Sequence, residues 1–125
     1  MADLNIGEIV TGIYKTGKYV GEITAVKPQH YLVKVKAVLK HPQQGDLHMP
    51  KQAEVPLFHQ RRALALHEQT NIPANMVKKF EGPVPDYQES LLLSLKDLKD
   101  ELSNLETDWA EKSLRCLEDL ASEYQ

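Results

Sequence analysis

The chain has 125 residues, 42% hydrophobic and 26% charged, with a formal net charge of −3. It is long enough to bury an ordinary core, and its acidic balance gives no overall electrostatic case for nucleic acid. A single cysteine, Cys116, excludes an internal disulfide, and no stretch approaches the ~18 apolar residues that a bilayer span needs.

Charge divides unevenly at Pro83-Val84-Pro85. Residues 1–85 carry eleven Lys/Arg against seven Asp/Glu, whereas residues 86–125 carry four against eleven. The first part is rich in β-branched and aromatic residues; the second has no Gly or Pro. A basic β module followed by an acidic helical one is the organisation to expect.

Ile6 to Tyr14 alternates as a strand, with Ile9, Thr11 and Ile13 on one face and Val10, Gly12 and Tyr14 on the other. Lys15-Thr16-Gly17-Lys18 is a short turn that places Gly17 for positive φ. Tyr19 to Lys27 reads as a second strand, stopped by Pro28, which cannot donate to a ladder. Tyr31 to Leu39 alternates most cleanly. Tyr31, Val33, Val35, Ala37 and Leu39 face the core, while Lys34 and Lys36 share the wetted side with Leu32 and Val38.

His41 to Pro50 is a long loop. Short strands are expected at Ala53–Leu57 and Arg62–Leu66, although Arg61 to Glu68 also suits one or two helical turns. Asn71 to Val77 reads as a single 3₁₀ turn entering a last strand, Val77 to Phe80. Gly82 to Pro85 is the linker. Asp86 with Glu89 then opens a helix as a capping-box-like pair. Leu91, Leu95, Leu98, Leu102 and Leu105 follow at spacings that give a narrow coiled-coil-like seam. Asp108 with Glu111 opens a second helix, in which Ala110, Leu114, Leu117, Ala121 and Tyr124 repeat that spacing. So short a connection predicts an antiparallel hairpin.

The segment Ile72-Pro73-Ala74-Asn75-Met76-Val77 resembles the Ile-Pro-Ser-Asn-Tyr-Val ending of SH3 domains. The expected fold is therefore mainly β with C-terminal α: an SH3-like β barrel over residues 1–82 and an αα-hairpin over residues 86–125. No Ala-Leu-Tyr-Asp-Tyr segment is present, Met76 replaces the groove tyrosine, and the only tryptophan is Trp109 in the helical part. These departures argue against binding of proline-rich peptides.

A broader resemblance covers residues 6–87. Gly12-Ile13-Tyr14-Lys15-Thr16-Gly17-Lys18-Tyr19, Pro28-Gln29-His30-Tyr31-Leu32-Val33, His41-Pro42-Gln43-Gln44-Gly45-Asp46-Leu47-His48 and Gln69-Thr70-Asn71-Ile72-Pro73 are similar to the kinase-associated protein B family. The resemblance implies an accessory protein of a spore-forming bacillus, promoting a membrane sensor histidine kinase that feeds the sporulation phosphorelay. It transfers no catalytic residue. Proteins of this name have been described as lipoproteins. Met1-Ala2-Asp3-Leu4-Asn5 has neither an apolar run nor a cysteine, so the expected location is cytoplasmic, peripheral at the membrane through a kinase partner.

No phosphate-cradling loop, nucleophile elbow or paired-carboxylate constellation is present, so neither enzyme activity nor a cofactor is expected. His41, Asp46, His48, Glu54 and His59 are metal-ligand types, but without thiolates or tight pairing the histidines read as surface residues, with His41 or His48 hydrogen-bonded to loop backbone. An enzymatic reading would need His30, His41, His48 or His59 brought against a carboxylate. The predicted helices lack histidine, which removes the usual phosphotransfer group. Cys116 beside Leu117 reads as a packing residue. The candidate partner-binding residues are Tyr14, Tyr19, Tyr31, Lys34 and Lys36, facing a sensor histidine kinase or its associated proteins. The alternative is a nucleic-acid-binding barrel that uses these residues with Lys15, Lys18, Lys27 and Lys40. Leu93, on the far side of its helix from the seam, leaves a homodimer open.

Overall fold

The computed structural model describes residues 4–45 and 60–124. The strand expected at Ala53–Leu57 lies outside them. The elements are β1 (Ile9–Tyr14), β2 (Gly17–Val26), β3 (His30–Lys40), β4 (Gln69–Pro73), a 3₁₀ turn (Ala74–Met76), β5 (Val77–Lys79), α1 (Tyr87–Ser103) and α2 (Asp108–Tyr124). All strand pairs are antiparallel, in the spatial order β4-β3-β2-β1-β5. The SH3-like barrel with a helical hairpin is the fold observed.

Each strand sends one apolar residue to a common centre: Val10, Ile23, Val33, Ile72 and Val77, capped by Leu4. β1 and β4 are not ladder neighbours, yet a Cβ on Gly12 would stand 2.6 Å from Ile72 Cδ1. The sheet therefore curls until its first and fourth strands touch. Gly12 is what permits that approach.

β1 starts at Ile9 rather than Ile6 because the chain bends before it. Gly7 sits at φ 93°, and Glu8 N–H bonds back to the Asn5 carbonyl. The turn after β1 also differs from expectation. Lys15 (φ 45°) and Thr16 (φ 72°) take the left-handed conformation, and Gly17 does not. Tyr14 pairs directly with Gly17, and positive φ at both central positions is the mark of a two-residue type I′ hairpin. What Gly17 supplies is room. A Cβ there would stand 2.5 Å from the Tyr19 hydroxyl and 2.8 Å from its ring.

β3 departs from simple alternation. Val20 pairs with Ala37 and Gly21 with Val35, so Lys36 is an extra residue; Leu39 is a second, between Val38 and Lys40. Each bulge resets the pleat. Ala37 and Val38 are consequently both buried, although Val38 was expected on the wetted side, and Leu39 is only half-buried. Asn71, Ile72 and Pro73, expected within the 3₁₀ turn, form the second part of β4. Its pairing with β3 from His30–Pro73 to Lys34–Gln69 makes it a strand.

The helical half follows its sequence pattern closely. Asp86 Oδ2 accepts Glu89 N–H at 3.0 Å, and Thr107 Oγ1 accepts Ala110 N–H at 3.1 Å, so both helices begin on capped turns. Leu95, Leu98 and Leu102 of α1 meet Trp109, Ala110, Leu117 and Leu120 of α2. The expected seam loses both ends: Leu105 falls beyond α1 and is exposed, and Leu91 packs instead with Tyr19, Val35 and Val38 of the barrel. Ser113 lies fully buried in α2 with no hydrogen-bond partner for its hydroxyl.

Two substitutions test this packing. Gly17→Ala should cost roughly 1–3 kcal/mol in chemical denaturation, because the buried Tyr19 ring has nowhere to retreat. Ser113→Ala should leave stability unchanged or raise it, since it removes only an unpaired polar group.

Candidate functional site

The five candidate contact residues do not form one surface. Tyr19 is 1% exposed and packs with Val35, Val38, Ala63 and Leu91, so it is a core residue and cannot meet a partner. Tyr14 and Tyr31 are half-buried against the barrel core. Lys34 and Lys36 are half-buried on the other side of the β3 pleat, and Lys36 Nζ reaches Glu22 Oε1 at 3.6 Å. The pleat thus splits the expected patch into an aromatic part and a cationic part. Lys15 Nζ lies 5.3 Å above the Tyr14 ring, and Lys27 Nζ is bonded to Asn71 Oδ1 at 2.7 Å. Of the three candidate rings Tyr19 is thus buried and Tyr14 covered by an ammonium, which leaves Tyr31 half-open.

A different constellation organises the polar groups. Residues 61–65, expected as a strand or a helical turn, run as a strap between barrel and hairpin with no ladder of their own. Tyrosine hydroxyls take the place of a neighbouring strand. Ala63 N–H donates to Tyr124 Oη (3.0 Å) and Leu64 N–H to Tyr19 Oη (3.3 Å), while Tyr87 Oη donates to the Leu64 carbonyl (2.6 Å). These rings come from β2, from the first residue of α1 and from the last of α2, which the hairpin brings together at one end. Burial pushes the Tyr87 hydroxyl up to about 12, with Tyr124 and Glu68 adding to the shift, so it stays a donor at neutral pH. Burial likewise raises Tyr19 and Tyr124.

Gln44 fixes the start of the strap. Its Oε1 accepts Arg61 N–H (2.8 Å), its Nε2 donates to the Arg61 carbonyl (3.0 Å), and its own carbonyl accepts Trp109 Nε1–H (3.2 Å). At the far end His67 turns the chain at φ 68° and donates its N–H to the Val35 carbonyl. The helix joins the barrel directly as well, through Ser90 Oγ, which accepts Val38 N–H at 3.0 Å.

His41 completes the joint. It is 3% exposed, with Nδ1 at 2.9 Å from the Pro42 carbonyl and Nε2 at 2.9 Å from Tyr124 Oη. A carbonyl can only accept, so Nδ1 carries the proton and Nε2 accepts from the tyrosine hydroxyl. That hydroxyl then accepts Ala63 N–H, giving an unbroken relay from residue 42 to residue 63. Burial lowers the His41 pKa below its ordinary 6.5, opposed by its bond to Pro42.

Among the described residues no group of three His, Cys, Asp or Glu side chains is placed to hold a metal ion, and Asp46, His48, Glu54 and His59 lie outside them. His30 is exposed at the start of β3. Cys116 is half-buried, its thiol raised by burial and by Asp119, which makes it a poor nucleophile. Leu93 is 60% exposed, away from both the seam and the barrel. The described helices include none long and apolar enough to cross a membrane. Sequence reasoning missed Gln44, Tyr87 and Tyr124 as a set. Tyr124 stood out only as the last residue of an apolar stripe, and nothing in its spacing announced a hydroxyl partner 61 residues away.

Comparison with known proteins gives concordant results. The family model described as "Kinase associated protein B" matches residues 14–125. The chain is 58% identical over 124 residues to a protein of Bacillus subtilis (strain 168) named "Kinase-associated lipoprotein B", covering 99% of this chain and 97% of that one. It also superimposes on the crystal structure of kinase-associated protein B from Bacillus cereus, with a TM-score of 0.83, 50% identity and 98% of each chain covered.

Stability should fall as the pH drops through the joint's titration. The folded state holds His41 neutral, so the unfolded state binds the extra proton. The His41 contribution is intact above pH 6.5, is lost as the pH falls toward the lowered folded-state pKa, and changes no further below it. Urea midpoints at pH 7.5 and 5.5 should differ more for the natural chain than for a His41→Gln variant. Equal differences would remove His41 from the joint.

Proposed function

The chain belongs to the kinase-associated protein B family, and from that membership we propose that it is a non-catalytic accessory protein, promoting a sporulation sensor histidine kinase through protein–protein contacts. The structural support is how its polar interior is used. His41, Gln44, Tyr19, Tyr87 and Tyr124 could each do chemistry in another setting, but here their polar atoms bond backbone groups or one another within the joint. This leaves the outer surface as the part of the described molecule with capacity to spare. The protein would work beside its kinase at the cytoplasmic face of the membrane.

An accessory protein raises activity only by binding the active conformation of its target more tightly than the inactive one. A tenfold shift in that equilibrium needs a difference of about 1.4 kcal/mol, well within reach of a modest interface. Autophosphorylation of the purified sensor kinase, measured with and without an equimolar amount of this protein, should rise severalfold. An unchanged rate together with no association in sedimentation would overturn the reading.

A further inference from the structure

Beside the β1–β2 turn lies a cleft of about 300 Å³, lined among others by Tyr14, Lys15, Tyr19, Arg61, Arg62 and Glu68. That volume is at the small end for ligand pockets and suits one or two side chains better than a cofactor. Its charge balance is unusual for a chain of net −3, with three cations against one carboxylate. Arg62 is already matched, its Nη1 lying 2.7 Å from Glu123 Oε2. Glu68 is engaged with Ala65 N–H at 2.9 Å. Arg61 spends Nε on the Gly45 carbonyl (3.2 Å), and neither Arg61 nor Lys15 pairs with a carboxylate among the described residues.

The turn that presents Lys15 is also held in place. Lys15 and Thr16 both occupy the left-handed region, a strained choice for non-glycine residues and especially for a β-branched one. Thr16 Oγ1 accepts Gln43 N–H at 3.0 Å, which pins the tip against the loop after β3. The turn thus fixes the backbone position from which the Lys15 side chain extends.

The geometry points to this cleft as the docking site for an acidic segment of the partner protein, with Lys15 and Arg61 receiving its carboxylates. This assignment rests on the accessory reading above and adds where the partner binds and what chemistry it offers. A protein segment fits better than nucleic acid for two reasons. Tyr19 is buried and Tyr14 lies under the Lys15 ammonium, so no bare ring is offered for base stacking. The cleft also has room for one or two carboxylate side chains but not for a run of nucleotides.

The test is an amide-shift titration of the full chain with hexaglutamate at about 10 mM salt, where screening is weak. Shifts should concentrate at residues 14–18, 43–45 and 60–65 and fade at physiological salt. Lys15→Gln, on an exposed turn, should weaken binding about three- to fivefold, and Arg61→Gln by as much, while Lys78→Gln on β5 leaves it unchanged. Absence of shifts, shifts centred on Lys34 and Lys36, or full affinity in Lys15→Gln would overturn the assignment. So would tighter binding of a single-stranded oligonucleotide of equal charge at the same residues. The kinase assay separates the two readings. If the natural chain and Lys15→Gln stimulate the kinase equally, the cleft is wrong and the accessory role stands. If the natural chain does not stimulate, the accessory role is wrong whatever hexaglutamate does.

Discussion

Everything in the described molecule is oriented by the contact between the strap at residues 61–65 and the three tyrosines that hold it. An irregular segment that passes between a barrel and a helical hairpin, with Ala63 buried and Leu64 half-buried, must still satisfy its backbone donors and acceptors. A neighbouring strand would do so with amides. Here phenolic hydroxyls do it, and their rings carry apolar area into the same place. One residue type therefore supplies both the hydrogen bonds and the packing. Because Tyr87 begins α1 and Tyr124 ends α2, the strap fixes the open end of the hairpin against the sheet.

Charge has a smaller part in that union than the sequence suggests. The two halves are oppositely charged, and an ion pair does cross between them, Arg62 to Glu123. Both side chains are about half exposed, and such pairs contribute about 0.2–1 kcal/mol. Tyr19, Val38, Leu91 and the His41–Tyr124 relay are buried, where each hydrogen bond and each square ångström of apolar area counts for more. The charge asymmetry is consequently left facing outward, where it can govern approach and choice of partner. That is the expected arrangement for a protein whose work is done by its surface.

The sequence determined by itself what depends on local pattern. Asp86 and Glu89 mark a helix start because the capping bond spans three residues, and the leucine spacing of α1 defines its buried stripe without reference to any other element. The apolar face of β3 from Tyr31 to Val35 and the 3₁₀ turn before β5 were legible for the same reason. Tertiary structure alone decided what depends on partners far along the chain. The bulges at Lys36 and Leu39 arise from pairing with β2 and put Val38 against α1. Tyr19 reads as an interface residue until its hydroxyl finds Leu64, 45 residues on. The strap is a short apolar run that suits either a strand or a helical turn, yet it is neither, because hydroxyls from three distant positions take up its backbone. A period of two or three and a half reports which face a residue shares with its near neighbours. It carries no information about which distant side chain will take up an amide, and that choice is what builds the joint.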